Sequence, residues 1–261
     1  MHARTRCLNT LGIIVARWGD NATRQKLSRR LAGHTLLEWV VRRATDAARL
    51  DTIIVMTDAA AAGELREFVP RDVPLEAADS SDWLGRFSDA ATAYRADGVV
   101  SLDAGNPFLD PALVDRLVTE AELALDCDCL RYRSPGGGTR PASAAAPMAE
   151  WFRATALARA AGAASRPRDR QHPGRYLSQH AEWCHTRLLA LPEGLDQHDV
   201  RLTLDVEEDW EHAEQIFDAL GHDTLEWQRL VGLLQQQPRL RARMARLNYL
   251  PMQSVEAPYV A

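Results

Sequence analysis

Short apolar runs separated by longer amphipathic stretches dominate the first half of the chain. Three runs rich in aliphatic and β-branched residues predict buried strands, at residues 11–15, 52–57 and 99–102. Apolar positions at helical spacing predict helices at residues 36–44, 59–68, 84–94 and 113–125. The polar stretch 17–30, between the first strand and the first helix, is expected to be a loop.

Strands that alternate with helices of this length predict an α/β fold with a mainly parallel, Rossmann-like sheet flanked by helices. Ligands of such sheets bind at the carboxyl ends of the strands. The segments expected to matter are therefore 16–30, 103–111 and whatever follows a strand ending at Asp205. Cys127 and Cys129 alternate with acidic residues, which predicts a further strand rather than a metal site.

The pattern becomes helical from residue 209 onward. One apolar stripe includes Trp210 and Phe217, a second covers residues 225–234 after Gly221, and Pro238 begins a last short helix. We therefore expect an α/β domain over residues 1–220 and a helical C-terminal extension, residues 221–261, packed on it.

Composition narrows the class of partner. The chain has 261 residues, 46% of them hydrophobic, and a formal net charge of only −5, so a core is expected but no polybasic surface for nucleic acid. No apolar run approaches the roughly 20 residues needed to cross a bilayer. The first ten residues also lack the apolar segment of a secretory signal. These features predict a cytoplasmic protein without membrane insertion, with reduced cysteines and a small-molecule ligand.

Cationic residues gather in the segment after the first predicted strand. Arg17, Arg24 and Lys26 flank or follow Gly19 there. Such a segment suits the phosphates of a nucleotide, particularly beside a helix N-terminus. A solvated basic surface is the alternative interpretation, because neither a Walker A motif nor a Gly-x-Gly-x-x-Gly motif is present.

Motifs along nearly the whole chain resemble the spore-coat polysaccharide cytidylyltransferase family, which is related to the acylneuraminate and deoxyoctulosonate cytidylyltransferases. The matching stretches, in order, are Ile13–Gly19 with Lys26, 31–40, 55–58, 82–87, 99–102, 106–115, 171–172, 201–209 and 246–248. The resemblance implies a GT-A-like nucleotidyltransferase fold. It also implies transfer of a cytidylyl group from CTP to a sugar acid or sugar phosphate, with release of pyrophosphate, for surface polysaccharide or glycoconjugate synthesis.

The resemblance also implies roles for individual residues. Arg17 and Lys26 would contact the triphosphate and, with Asp205, carry catalysis, while Gly19 would let the backbone approach the phosphates. Asp205 matches the carboxylate that binds Mg²⁺ in the family. Further expected nucleotide contacts are Ala16, Arg24 and Arg86, and the expected acceptor contacts are Glu150 and His172. Family members commonly form dimers, so a homodimer is expected, through residues 142–153 and the C-terminal helices.

Two motifs depart from the family pattern. Asp20 follows Gly19 where the family has Ser, and Ala22 stands at the position of an Arg, with Arg24 two residues later. The Asp of the family's Gly-Asp-x-Pro motif, a second Mg²⁺ ligand, is replaced by Gly105. Asp103 would face the same side of a regular strand and is the candidate to replace it as a metal ligand.

Two alternatives therefore stand beside the cytidylyltransferase hypothesis. One is a catalytically weakened homologue that binds a nucleotide or a protein partner without turnover, because loss of a carboxylate weakens a magnesium site. The other is a GT-A-like glycosyltransferase, for which Asp126 and Asp128 are the candidate metal ligands. Arg86 has an open alternative as well, an ion pair with Asp82 or Asp89 on its own helix.

Overall fold

The structure is a computed structural model that describes residues 7–19, 21–133, 149–195, 197, 199–221 and 225–249. Its strands are β1 (Thr10–Ala16), β2 (Arg30–Leu31), β3 (His34–Thr35), β4 (Thr52–Asp58), β5 (Leu75–Ala78), β6 (Gly98–Asp103), β7 (Cys129–Tyr132), β8 (Ala149–Arg153) and β9 (Thr186–Leu189). Its helices are α1 (Asn21–Ser28), α2 (Leu36–Thr45), α3 (Ala62–Leu65), α4 (Trp83–Ala93), α5 (Pro111–Leu123), α6 (Ala154–Ala163), α7 (Pro167–Arg170), α8 (Pro173–Ser178), α9 (Glu207–Leu220), α10 (Trp227–Gln236) and α11 (Pro238–Tyr249).

A seven-stranded sheet forms the centre of the fold, in the order β5-β4-β1-β6-β8-β7-β9. β1 lies between β4 and β6 and is parallel to both, as are the pairs β4–β5 and β7–β9. Only β8 runs antiparallel to its neighbours, β6 and β7. The predicted α/β class, with a mainly parallel sheet flanked by helices, is confirmed.

The strand register brings several chain segments to one edge of the sheet. Val15 pairs with Asp103, and Ala16 pairs with Thr57, so β1, β4 and β6 end at the same level. Because β8 runs in the opposite direction, its first residues lie at this edge too, with Glu150 opposite Ser101. We call this the ligand edge, since parallel α/β sheets bind ligands at the carboxyl ends of their strands.

Helices cover both faces of the sheet. One face packs against α2, α5 and the C-terminal helices, and its core includes Val40, Leu117 and Ile216. The other packs against α4, α6 and α8, and its core includes Phe87, Leu157 and Leu177. The central strands are therefore buried on both sides, which explains why their sequences are continuously apolar rather than alternating.

Three sequence predictions of secondary structure are wrong. The stretch 17–30 contains helix α1 instead of being entirely a loop, and the helix predicted at 59–68 is reduced to a 3₁₀ turn, Ala59–Ala61, followed by the short α3. Residues 201–205 form no strand; they lead directly into α9. There, the side chain of Asp209 accepts hydrogen bonds from the backbone of Asp205 and Val206, so the backbone is held by a carboxylate instead of a neighbouring strand.

The C-terminal helices share the main core. Leu230 and Leu234 of α10 and Met244 of α11 are buried in the same cluster as the sheet and α2. A division into residues 1–220 and a packed extension 221–261 remains a prediction. Among the residues described, no helix is both long enough and apolar enough to cross a membrane.

Candidate functional site

The end of β1 leads directly into the cationic segment at the ligand edge. Ala16, the last residue of β1, is buried, and its carbonyl accepts a 2.7 Å hydrogen bond from Thr57 Oγ1. Arg17 follows and extends away from the strand. Its Nη2 donates to the Gln171 carbonyl oxygen at 2.8 Å and lies 3.2 Å from His172 Nδ1. Arg17 thus connects the expected phosphate segment with the expected acceptor residue His172.

Trp18 holds the same segment against the protein. Its ring is buried, and its Nε1 donates to Glu64 Oε2 at 2.7 Å. Its carbonyl oxygen accepts a 3.0 Å hydrogen bond from Arg24 Nε. The buried ring of Trp18 therefore anchors the segment to the core, and Arg24 holds the backbone of Trp18 by a hydrogen bond. Gly19 is exposed, with open space where a Cβ would lie, while Asp20 is outside the described residues.

Helix α1 brings Lys26 to the carboxylates of the ligand edge. Lys26 Nζ lies 3.5 Å from Asp205 Oδ1, with both side chains partly exposed. A Cβ placed on Gly105 would lie 3.3 Å from Lys26 Nζ and 3.4 Å from Asp103 Oδ2. The side chains of Lys26 and Asp103 therefore border the space where the family's second carboxylate would begin.

Asp103 and Asp205 are held by different contacts. Asp103 ends β6, and its Oδ1 accepts a 3.0 Å hydrogen bond from the backbone of Gly105. Burial raises the pKa of Asp103, while Lys26 and that backbone hydrogen bond act to lower it. Asp205 is exposed, and its Oδ2 lies 3.2 Å from Arg201 Nη2. The structure thus places Lys26 next to both Asp103 and Asp205, while their role as metal ligands stays a prediction.

Arg201 contacts the side chain of Asp205, and Asp209 holds its backbone. Arg201 donates to both carboxylate oxygens of Asp209, at 2.7 and 2.9 Å, and the Asp209 side chain is fully buried. The remaining bonds of that carboxylate go to the backbone before α9. Asp209 therefore holds the backbone at the start of α9, while the Asp205 side chain lies beside Lys26 at the ligand edge. The supporting pair was missed because its acid resembles any acidic residue of a first helical turn.

His172 immediately precedes α8. Burial, together with the nearby charges of Arg17 and Arg175, lowers the pKa of His172 to about 4. The imidazole is therefore neutral near pH 7. Its Nδ1 is then able to accept the hydrogen bond from Arg17.

Arg86 is fixed beside the ends of β4 and β5. Its Nη2 donates to the carbonyl oxygens of Thr57 at 2.6 Å and Glu76 at 3.1 Å. Its guanidinium also lies 4.4 Å from the ring centre of Trp83, which Arg17 approaches at 5.0 Å. Asp82, proposed above as an alternative partner, instead binds Arg170 at 2.5 Å. Trp83, which joins the two arginines, was not among the predicted site residues.

Glu150 lies at the start of β8, between Arg131 and α8. Arg131 Nη1 is 3.8 Å from its Oε1, and burial raises the pKa of the Glu150 carboxyl. Gly174 of α8 is packed so closely that a Cβ there would overlap the carboxylate. Sequence reasoning found Glu150 but missed Gly174, because these two residues meet only through the fold.

The candidate ligands of the glycosyltransferase alternative lie elsewhere. Asp126 and Asp128 precede β7, whose first residue pairs with Phe152 at the level of Val99, near the start of β6. They are therefore at the edge of the sheet opposite to Asp103. Asp128 Oδ2 accepts a hydrogen bond from the backbone of His185 at 3.0 Å. The structure therefore places these acids away from the ligand edge, where the glycosyltransferase alternative would need them.

The sheet is mostly parallel, a cationic segment follows its first strand, and two carboxylates lie on neighbouring segments. These are features of an α/β nucleotidyltransferase fold. The cytidylyltransferase family model matches residues 11–237. The chain belongs to this cytidylyltransferase family, which confirms the resemblance seen in its motifs.

The chain is also similar to individual proteins, over most of its length or over part of it. An uncharacterised protein of Methanocaldococcus jannaschii is 25% identical over 241 residues, covering 90% of this chain and 93% of the relative. A 3-deoxy-manno-octulosonate cytidylyltransferase of Acidobacterium capsulatum is 31% identical over 121 residues, covering 44% of this chain and 47% of the relative.

Solved structures show the same fold. A cytidylyltransferase of Leptospira borgpetersenii superposes with a TM-score of 0.76 at 20% identity, covering 89% of this chain and 96% of the other. A CMP:2-keto-3-deoxy-manno-octonic acid synthetase complexed with CTP superposes with a TM-score of 0.58 at 14% identity, covering 81% and 99%.

Proposed function

We propose that this protein transfers a cytidylyl group from CTP to an oxygen of a sugar acid or sugar phosphate, releasing pyrophosphate. The observation that carries the proposal is the meeting of Lys26, Asp103 and Asp205 at the ligand edge, beside the segment that begins at Arg17. A role in surface polysaccharide or glycoconjugate synthesis follows from the family resemblance. A homodimer stays a prediction, and residues 142–148 of its expected interface lie outside the described residues.

The arrangement suits the chemistry of nucleotidyl transfer. The acceptor oxygen attacks the α-phosphorus of CTP, the bond to the β-phosphate oxygen breaks, and pyrophosphate leaves with that oxygen. Little covalent help is needed, so positioning and charge stabilisation supply most of the catalysis. Arg17 and Lys26 would orient the triphosphate and offset its negative charge. Gly19 and Ala16 would line its path, with Arg24 and Arg86 supporting the walls of the nucleotide site.

Glu150 and His172 would contact the acceptor. Both lie near the ligand edge, and Arg17 links His172 to the nucleotide side. The neutral ring of His172 can exchange hydrogen bonds with hydroxyl groups without adding a charge, and the carboxyl oxygens of Glu150 can accept hydrogen bonds from the same groups. This polarity is suited to a sugar.

The site fits Mg²⁺ that arrives on the nucleotide. Among the described residues, no group of three or more acidic, histidine or cysteine side chains could hold a metal by itself. Mg²⁺ is commonly held by one or two carboxylates together with substrate phosphates, and Asp103 and Asp205 provide two. Once bound, the ion would neutralise charge on the phosphate oxygens. A solved fold relative, Rv0371c from Mycobacterium tuberculosis, is described as a complex with manganese.

We place this activity in the cytoplasm. All four cysteines are free thiols, and Cys127, Cys129 and Cys184 are buried, which agrees with a reducing compartment.

Nucleotide binding without turnover is the second candidate. It is favoured by one observation, the absence of a carboxylate at Gly105, where Lys26 Nζ borders the space instead. A single experiment separates the candidates. The purified protein is incubated with CTP, Mg²⁺ and a panel of sugar acids and sugar phosphates, and CTP binding and pyrophosphate release are both measured.

We expect Mg²⁺-dependent release of pyrophosphate and a fall of about 100-fold or more in Asp205→Asn, since a ligand of the catalytic metal is removed. The matched control is Asp199→Asn, which removes a carboxylate that pairs with Arg241 at 2.6 Å. It should retain activity. Binding of CTP without turnover would establish the second candidate, and failure to bind CTP would contradict both proposals.

A further inference from the structure

The position that lost its carboxylate has gained an ammonium group as a neighbour. The space next to Gly105 is bordered by Lys26 Nζ and Asp103 Oδ2, at 3.3 and 3.4 Å from where a Cβ would lie. The same ammonium is 3.5 Å from Asp205 Oδ1. Lys26 therefore brings a positive charge to the place where two carboxylates face a common space.

The choice of lysine here is distinctive. Lysine and arginine together number 31, and Lys26 is the only lysine in the sequence. An ammonium group is a compact, strongly hydrated point charge with three donors, whereas a guanidinium is planar and binds through a fixed fork. The ammonium resembles a small hydrated cation more closely.

Helix α1 is docked so that Lys26 stays at this place. Leu27 is buried in the core, and Arg29 forms two hydrogen bonds to Glu207, at 2.6 and 2.7 Å. The Arg29 guanidinium also lies over the Trp210 ring at 4.2 Å. Both partners belong to α9, directly after Asp205. The helix that carries Lys26 is therefore also held against the start of the helix that follows Asp205.

We propose that Lys26 occupies the divalent-cation site of the nucleotide-free protein and exchanges places with the metal when the metal–nucleotide complex binds. In the free protein the ammonium balances the charge of Asp205 and Asp103. When the metal–nucleotide complex binds, the ammonium leaves Asp205 and moves to the phosphates. This step rests on the proposed function. A divalent ion without nucleotide binds weakly, because it must displace Lys26 while the ammonium has no phosphate to go to.

Metal binding without nucleotide tests the first half of this proposal. Mn²⁺ is titrated into the unaltered protein, Lys26→Met and Lys26→Arg, and free Mn²⁺ is followed by electron paramagnetic resonance. We expect Lys26→Met to bind Mn²⁺ about tenfold more tightly, since one nearby positive charge is removed. Adding Asp205→Asn to Lys26→Met should abolish the gain. Equal Mn²⁺ affinity in Lys26→Met and the unaltered protein would overturn the proposal.

The single lysine also permits a test without substitution. Protein labelled with ¹³Cε-lysine gives one lysine side-chain signal, which reports Lys26 directly. We expect little change with millimolar Mg²⁺ alone and a clear shift with Mg²⁺ and CTP together. A signal that stays in place when Mg²⁺ and CTP are shown by calorimetry to bind would overturn the exchange. Tighter Mn²⁺ binding by Lys26→Met, in a protein that binds no CTP, would sustain the cation role of Lys26 while the proposed function failed.

Discussion

Gly174 leaves room for the carboxylate of Glu150: a Cβ at position 174 would overlap Oε2 and lie 3.2 Å from Oε1. Gly174 is buried in α8, and Glu150 is the second residue of β8. The carboxylate that we assign to the acceptor side is thus positioned by the absence of a side chain on its neighbour.

Gly174→Ala is expected to displace Glu150. Overpacking of this kind costs about 1–3 kcal/mol, so the urea midpoint should fall and the KM for the acceptor should rise more than the KM for CTP. Gly162→Ala is the matched control, because Gly162 is exposed in α6 with open space where a Cβ would lie. That change should stabilise the protein slightly. An unchanged acceptor KM in Gly174→Ala would contradict the assigned role of Glu150.

Trp18→Phe tests the support of the phosphate segment. It keeps an aromatic ring but removes the Nε1–H that binds Glu64 at 2.7 Å. We expect a loss of about 1 kcal/mol in the free energy of unfolding and CTP binding weakened a few-fold, measured by calorimetry. Glu64→Gln retains an oxygen acceptor and should have a smaller effect. If Trp18→Phe bound CTP as tightly as the unaltered protein, the ring alone would be sufficient to hold the segment.

Asp209 should matter more for stability than its position beside the site suggests. Its side chain is fully buried against Arg201, whose side chain is only 10% exposed. Asp209→Asn would leave the arginine without its buried counter-charge, and such losses cost about 3–5 kcal/mol. Glu207→Gln, which removes an exposed partner of Arg29, should leave the urea midpoint nearly unchanged. Similar midpoints for both variants would show that the buried pair does not hold the α9 start.

The lowered pKa of His172 should make the stability of the protein depend on pH. Its pKa in the folded protein is lowered to about 4 from the ordinary value of 6.5. As pH falls between these values, the unfolded chain takes up a proton that the folded protein does not, so this residue makes the folded state less stable. His172→Asn removes that contribution. Urea midpoints measured at about pH 7, 6 and 5 should fall less in the variant; equal falls would show that His172 ionises normally.

The central strands were predictable because they are buried on both faces. Residues 11–15, 52–57 and 99–102 read as apolar runs and lie within β1, β4 and β6. β5 and β9, by contrast, are the outer strands of the sheet and expose most of their side chains. Their conformation depends on pairing with a neighbour, which leaves little apolar signal in the sequence.

The members of the candidate site could be named from the sequence, but their contacts could not. Arg17, Lys26 and Asp205 stood out by charge and by the family resemblance, and Asp103 by its position two residues before Gly105. The helical setting of Lys26 did not, because α1 buries only Leu27 and so shows almost no apolar stripe. The closeness of Lys26 to Gly105 arises from three segments that meet only after the sheet has formed, and no local pattern contains that information.

Because β8 runs antiparallel to β6, the ligand edge is built from the ends of some strands and the beginning of another. The last residues of β1, β4 and β6 lie at the ligand edge. These three strands form the centre of the sheet, so a substitution in one of them disturbs its neighbours. The first residues of β8 lie at the ligand edge. The chain then continues through α6 to α8, which pack on one face of the sheet. These later elements make no backbone pair with β1 or β4. Under the proposed function, the fold therefore keeps the elements assigned to the acceptor apart from the parallel strand ends assigned to the nucleotide.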